Sequence, residues 1–397
     1  MRTIHILGIL VLLALTVPAS PAHAGGVVSV CDEAHLLAAL AGGGTVTFEC
    51  SGTITLTAEI VIAADTTIDG SGQDVTISGN NAVRVFTVSS GVKLNLDELT
   101  VANGATSEYD SGAGVYNDGG NVAVGNSTFS GNRAMHNGGG IANYGEARVS
   151  NSTFCGNNSY SGGGISNYGM LTVSNSTFSG NSALYGGGIS NDVYWATVIV
   201  SSSTFSGNSA SQAWGGGIRN RGTLIVSNST FSGNTAIHGF GGAIFTGDYG
   251  LHGGVLTVTN STFSSNGAVE GGGGIYWYAG AATLKNTIIA NNRPGGNCVG
   301  FITDGGGNLS YPDTTCPGIH ADPLLGPLQY SGGPTPTMAL GEGSAAIDAG
   351  NDAICAADPI NNLDQRGITR PQGSHCDIGA VEQVSIKSIW LPAVQAW

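Results

Sequence analysis

Charge is scarce in this sequence, and positive charge scarcer still: 12 Lys and Arg stand against 26 Asp and Glu in 397 residues, a net charge of −14 with histidine neutral. Nucleic-acid binding depends on basic side chains that neutralise phosphates, so that class of function is excluded. Beyond the first residues no apolar run is long enough to span a bilayer, so no transmembrane segment is expected. No G-K-[S/T] follows any glycine string, and no helix is expected after one, so stretches such as Gly271 to Gly274 are not phosphate loops. The histidines lack ligand spacing: His136, His238 and His252 fall in repeat turns, while His35, His320 and His375 stand alone. A zinc site is therefore not expected.

What is present begins with the ends of the chain. Arg2, an apolar run from Ile4 to Val17 and the small-residue site Ala22-His23-Ala24 have the form of a secretory signal peptide, which points to export with cleavage after Ala24. Export permits disulfides. Of seven cysteines, the simplest local pairing joins Cys31 with Cys50, Cys298 with Cys316 and Cys355 with Cys376, leaving Cys155 as a free thiol in place of a repeat serine.

Glycine supplies 66 residues, more than twice the usual share of about 7%. There is no G-x-y period, so the sequence is not collagen-like. Instead Asn126-Ser127-Thr128-Phe129-Ser130-Gly131-Asn132 recurs, with its aromatic at Phe154, Phe178, Phe205, Phe231 and Phe263 and a degenerate copy at Ile289, in steps of 25, 24, 27, 26, 32 and 26 residues. A second unit, Gly138-Gly139-Gly140-Ile141-Ala142-Asn143, recurs at Ile165, Ile189, Ile218, Ile244 and Ile275. A third, Leu171-Thr172-Val173-Ser174, precedes each Phe unit. A period near 25 residues suits three short strands and their turns, which is one coil of a β-solenoid. It matches no leucine-rich frame, and it is too short for a propeller blade. With side chains alternating, Ile141, Leu171, Val173 and Phe178 point inward. Asn132, Asn157, Asn181, Asn208, Asn234, Asn266 and Asn292 then form a buried corner column. The Asn of each N-S-T (Asn126, Asn151, Asn175, Asn228, Asn260) is read as a turn residue. Apolar alternation from Thr53 to Ile77 gives irregular first coils, and Asp32 to Leu40 a short helix capping the N-terminal end. Roughly ten coils at ~4.8 Å make a rod of about 48 Å.

These repeats resemble the GGG-I and F-x-x-N repeats of polymorphic outer-membrane-protein-type β-helices. The chain as a whole is similar to bacterial right-handed parallel β-helix repeat proteins of the pectate-lyase-like class. Gly332 to Thr337, Gly343 to Gly350, Asp364-Gln365-Arg366-Gly367, Arg370-Pro371 and Cys376 to Glu382 resemble the choice-of-anchor Q domain. That resemblance implies a secreted or cell-surface protein whose last residues select an anchor. Gln383 to Trp397 departs from it, with no LPxTG-like motif, spanning helix or basic tail. The expected organisation is a signal peptide at 1–24, cap and irregular coils at 25–125, regular coils at 126–292, a choice-of-anchor-like domain at 293–383 and a tail at 384–397. The expected fold is all-β, a single-stranded right-handed parallel β-helix with an N-terminal helical cap and an irregular β-rich C-terminal region.

Many folds of this class are polysaccharide lyases or glycosidases, which need paired carboxylates or an acid cluster with a base. From Asn126 to Asn292 the only carboxylates are Glu146, Asp192, Asp248 and Glu270. They are scattered over different coils, and Asp192 and Asp248 stand roughly 10 Å apart even if aligned. No catalytic residue is assigned. Acids crowd the C-terminal region from Asp348 to Asp377, where a structural calcium is conceivable. Turn capping and structural ion pairing among Asp364, Arg366 and Arg370 account for them better, so no cofactor is expected.

Binding is read instead from positions that vary within the fixed frame. In GGG-I-x-N the x residue is expected to face outward: Ala142, Ser166 and Ser190, then Arg219, Phe245 and Tyr276. Insertions in late coils add Tyr194, Trp195, Trp214, Phe240, Tyr249, Trp277 and Tyr278. Aromatics on a rigid solenoid stack on sugars or anchor protein contacts. The candidate ligand face is therefore Tyr194, Trp195, Trp214, Arg219, Phe245, Tyr276, Trp277 and Tyr278, for a glycan or a surface protein. The Thr and Ser columns beside each Phe (Thr128, Thr153, Thr177, Thr204, Thr230, Thr262, and Ser130 to Ser264) are read as a solubilising wall, with ice binding as a minor alternative.

Overall fold

The structure, a computed structural model, describes residues 25–212, 214–248 and 253–384. The expected signal peptide, Tyr249, His252 and residues 385–397 of the expected tail lie outside that range.

The coil through residues 170–191 shows how the repeat folds. Strands Met170–Ser174, Thr177–Ser179, Ser182–Tyr185 and Ile189–Asn191 follow one another around a tube. Leu171, Val173, Phe178, Ala183 and Ile189 are all buried in its core. Coils stack in parallel and in register, with Ile141, Ile165, Ile189, Ile218, Ile244 and Ile275 directly paired. The result is two 12-stranded sheets, which carry the Leu-x-Val and Phe units, and a 10-stranded Gly-Ile sheet. The rod is right-handed, as parallel crossovers are almost without exception. The reading of three strands per coil needs one correction, because residues 158–268 add a fourth, five-stranded sheet. Its inward-facing positions carry small residues, Ser159, Ala183, Ala210, Ala236 and Ala268, all buried.

Phe129, Phe154, Phe178, Phe205, Phe231 and Phe263 stack at ring-centroid distances of 4.7, 4.8, 4.8, 4.8 and 4.6 Å. Even the 32-residue step keeps Phe231 opposite Phe263, because its extra residues fall between the strands Ile244–Thr246 and Gly254–Thr259, both of which stay in register with the coil before. The third glycine of each GGG is dictated by this stack. A Cβ on Gly140 would lie 2.9 Å from the Phe154 ring and 2.6 Å from the Gly164 carbonyl.

Two asparagine columns bind coil to coil. Asn132, Asn157, Asn181, Asn208, Asn234, Asn266 and Asn292 each donate from Nδ2 to the next Oδ1, at 2.9–3.0 Å where both ends are ladder residues. The second column, Asn117, Asn143, Asn167, Asn191 and Asn220, uses the Asn of GGG-I-x-N and has links of 2.7–2.9 Å. The turn asparagines Asn126, Asn151, Asn175, Asn228 and Asn260 hold φ between 44° and 49°, which asparagine tolerates better than most residues. Asp32 caps the helix Glu33–Leu40, which buries Leu36 and Ala39 on the first coil. Disulfides join Cys31–Cys50, Cys298–Cys316 and Cys355–Cys376, and Cys155 is free.

Parallel pairing begins at Val27–Val28 and continues to Ile319–His320, so coils stack on both sides of 126–292. Residues 321–384 then fold back across the Phe sheet. Gln365 donates to Thr204 Oγ1 and Thr335 Oγ1 at 2.9 Å and accepts from Thr230 at 2.6 Å. The Thr262 hydroxyl accepts from Ala380 N at 3.0 Å. The hydroxyl wall is therefore solvated only in part: Thr204, Thr230 and Thr262 are buried beneath this clasp, while Thr128, Thr153 and Thr177 stay half-buried. The ion pairs of the clasp also differ from expectation. Arg366 pairs with Asp364 at 2.7 Å, but the buried Arg370 pairs with Glu382 at 3.4 Å and donates to the carbonyls of Asp377 and Gly379. Because Gln365 is buried and forms three side-chain bonds to hydroxyls, Gln365→Ala should cost about 2–3 kcal/mol. Limited proteolysis should then cut residues 321–384 well before any coil.

Candidate ligand-binding site

The x positions do leave the tube, but another layer covers them. Each Gly-Ile strand follows a reversal at a left-handed glycine; Gly215, for example, has φ 71°. That reversal folds the preceding residue back over the sheet's outer face. Ala142, Ser166, Ser190, Arg219 and Phe245 are consequently buried rather than displayed, and Tyr276 is half-buried. In the late coils the cover is a row of rings. Tyr185 lies 5.4 Å from Trp214, Trp214 lies 5.2 Å from Phe245, and Phe245 lies 5.6 Å from Tyr276, with Phe240 4.4 Å from Tyr276.

Arg219 is threaded into this row. Its guanidinium lies 5.1 Å from the Tyr185 ring and 5.4 Å from the Trp214 ring. Nη1 donates to Asp192 Oδ1 at 2.9 Å. Asp192 also accepts from Ser190 at 2.7 Å, Ser161 at 2.9 Å and Ser166 at 2.5 Å. Burial pulls the Arg219 guanidinium below its ordinary pKa, and the Asp192 charge opposes that shift.

One residue beyond the second asparagine column lies an edge row that follows the rod: Asp118, Tyr144, Tyr168, Asp192, Arg221, Gly247 and Tyr278. Each backbone N–H donates to the coil before it at 2.8–3.0 Å. Tyr144 and Tyr168 stack at 4.5 Å. Burial, with the Asp192 charge beside it, pushes the Tyr168 phenol above its ordinary pKa. In the middle of the row is a cleft of about 320 Å3 lined by Asp192, Val193, Tyr194, Trp195, Arg221 and Asp248. Tyr194 and Trp195 stand 56% and 65% exposed, with rings edge-to-face at 4.6 Å and 83°. Asp192 and Asp248, two coils apart, do meet in one cleft. Each is tied to an arginine of the intervening coil: Asp192 to Arg219, and Asp248 to Arg221 through Nε at 2.9 Å and through Nη2. Arg221 Nη1 also donates to the Asp192 carbonyl at 3.1 Å. Both acids are therefore charge-paired, and among the described residues that line the cleft no base completes an acid–base couple.

Of the eight residues expected on the ligand face, Tyr194 and Trp195 form the cleft wall, and Tyr278 lies on the same edge row, 38% exposed. Trp214, Arg219, Phe245 and Tyr276 form the supporting layer, and Trp277 packs partly buried against the core and edge-on to Phe301. Arg221 was not anticipated, although one position past each repeat asparagine holds Tyr144, Tyr168, Asp192 and Arg221, a regular signal. A second cleft of about 280 Å3 surrounds Arg84, held by Glu59 at 2.7 Å, but none of its lining residues is aromatic. Among the described residues no group of three or more His, Cys, Asp or Glu is arranged to hold a metal, and no helix is long and apolar enough to cross a membrane.

A comparison with curated proteins finds no match. Residues 111–310, half of the chain, match the family described as right handed beta helix region, spanning the coils from the start of the Gly-Ile repeats to the Phe-sheet strand Leu309–Tyr311. With in-register parallel coils and the repeat residues that build them already established, the chain belongs to the right-handed β-helix family.

Proposed function

We propose that this protein is a secreted or surface-displayed binding protein that holds a carbohydrate chain at the Tyr194–Trp195 cleft without transforming it. The observation that carries this reading is an exposed, perpendicular aromatic pair beside an arginine–carboxylate pair. Such rings cover the apolar face of a sugar, while planar charged groups engage its hydroxyls. The edge row extends the surface on both sides through Tyr144, Tyr168 and Tyr278. Three disulfides suit an oxidising compartment. A choice-of-anchor role for residues 293–383 rests on sequence resemblance; the clasp that part of this region forms on the Phe sheet supports a structural part as well.

Replacing Trp195 by alanine should weaken glycan binding by about thirtyfold, near 2 kcal/mol, as loss of a central aromatic contact does. Because Trp195 is mostly exposed, the denaturation midpoint should stay unchanged. Affinity electrophoresis in soluble polysaccharide gels measures the binding, and equal retardation of both proteins would refute the assignment. One observation favours catalysis: Asp192 and Asp248 share the cleft. Release of reducing ends or unsaturated product on prolonged incubation with a bound polymer would replace the binding reading with an enzymatic one.

A further inference from the structure

The charge arrangement of the cleft bears on which sugars it accepts. Among the described residues its lining holds two carboxylates, Asp192 and Asp248, and one guanidinium, Arg221, a net charge of −1. The buried Arg219 beneath Asp192 balances that charge without reaching the lining. Asp192 already accepts four hydrogen bonds, from three serines and Arg219. The Arg221 donors Nε and Nη2 are turned to Asp248, and Nη1 to the Asp192 carbonyl. Among the described residues the cation of the lining, Arg221, already has its charge matched by Asp248, so a carboxylate or sulfate entering here would face two carboxylates inside a molecule whose net charge is −14. Like charges brought together in this way oppose binding and slow the encounter.

Resting on the carbohydrate-binding reading, we propose that the cleft selects uncharged pyranose units, with the Arg221–Asp248 pair as the specificity determinant against uronic acids and sulfated sugars. A guanidinium and a carboxylate held edge to edge offer a fixed row of donors and acceptors, which suits neighbouring sugar hydroxyls that can both donate and accept. Tyr194 and Trp195 bear on the carbon–hydrogen face, which is uncharged in every pyranose. Aromatic stacking supplies attraction, and the paired charges supply rejection.

The test uses the whole chain with cellohexaose and mannohexaose as neutral probes and hexagalacturonate as the acidic probe, by titration calorimetry at low salt. The expected result is saturable binding of a neutral hexaose with hexagalacturonate at least about tenfold weaker, the gap narrowing as salt rises. Asp248→Asn leaves Arg221 without its carboxylate. It should improve hexagalacturonate binding about tenfold while weakening the neutral probe, and Trp195→Ala should weaken both. Hexagalacturonate bound as tightly as the neutral probes by the unaltered protein, or Asp248→Asn without effect on the ratio, would overturn the selectivity while leaving carbohydrate binding intact. No binding of any hexaose would overturn both. Thermal midpoints of the two variants close to that of the parent establish that the changes are local.

Discussion

Asn208→Ala should destabilise the protein by on the order of 5 kcal/mol, the largest effect expected of any single truncation considered. Asn208 lies mid-column and fully buried. Its Nδ2 donates to Asn234 Oδ1 and to the Phe178 carbonyl at 2.9 Å, and its Oδ1 accepts from Asn181 N at 3.1 Å and Asn181 Nδ2 at 2.9 Å. Alanine removes four hydrogen bonds from a dry corner, at about 1 kcal/mol each, and leaves Asn181 N without its acceptor at a further cost of about 1–3 kcal/mol. Asn234 Oδ1 keeps the Asn208 N–H, and Asn181 Nδ2 keeps the Phe154 carbonyl. Water entering the vacated space offsets part of that sum. Urea denaturation with an unchanged slope measures the loss. Asn208→Asp has the same shape but lacks the two donors, so it should do no better than alanine. Recovery with aspartate, which keeps the acceptor for Asn181, would mean that the two Nδ2 donations to Asn234 and Phe178 are dispensable to the column.

Asp192→Ala should cost about 3–5 kcal/mol, as removal of one partner from a buried ion pair does. The Asp192 and Arg219 side chains are only 6% and 10% exposed, and truncation leaves the Arg219 charge between two aromatic rings without its hydrogen-bonded counter-ion. Three serine hydroxyls lose their acceptor at the same time. The loss should reach the ligand as well, because Asp192 itself lines the cleft. Asp192→Ala combined with Arg219→Met should recover most of the stability, since a well-packed apolar replacement removes the stranded charge. A double-mutant cycle on denaturation free energies reads the coupling directly, and additivity would show that the two residues do not act as a pair.

The coils were legible because their signals are local and repeated. Phe178, Ile189 and Asn181 recur at one register, and the stacking of successive coils turns that recurrence into columns. The outer layers were less legible, because they depend on which distant residue covers a strand. Ser166 and Ser190 read as solvent-facing, yet Asp192 lies over both. Thr204 and Thr230 are identical in pattern to Thr153 and Thr177, and nothing in the repeat marks the coil where Gln365, 161 residues on from Thr204, comes to rest. Of the cleft residues, Tyr194 and Trp195 stood out as an insertion. Arg221 and Asp248 acquire meaning only when adjacent coils bring them into contact, 27 residues apart.

The clasp also sets an order of assembly. A coil-to-coil bond such as Asn181 to Asn208 closes a loop of 27 residues, while Gln365 must find Thr204 across 161. Short loops close before long ones, and rates fall as contacts become more distant in sequence. The rod can therefore wind one coil at a time as the chain is released, each new coil templated by the last. The clasp has no surface to grip until Thr204, Thr230 and Thr262 are already aligned. Its closure is thus a late event that reports on completed winding: a miswound rod would present the wrong spacing to Gln365 and Ala380 and would leave residues 321–384 loose for proteases to remove.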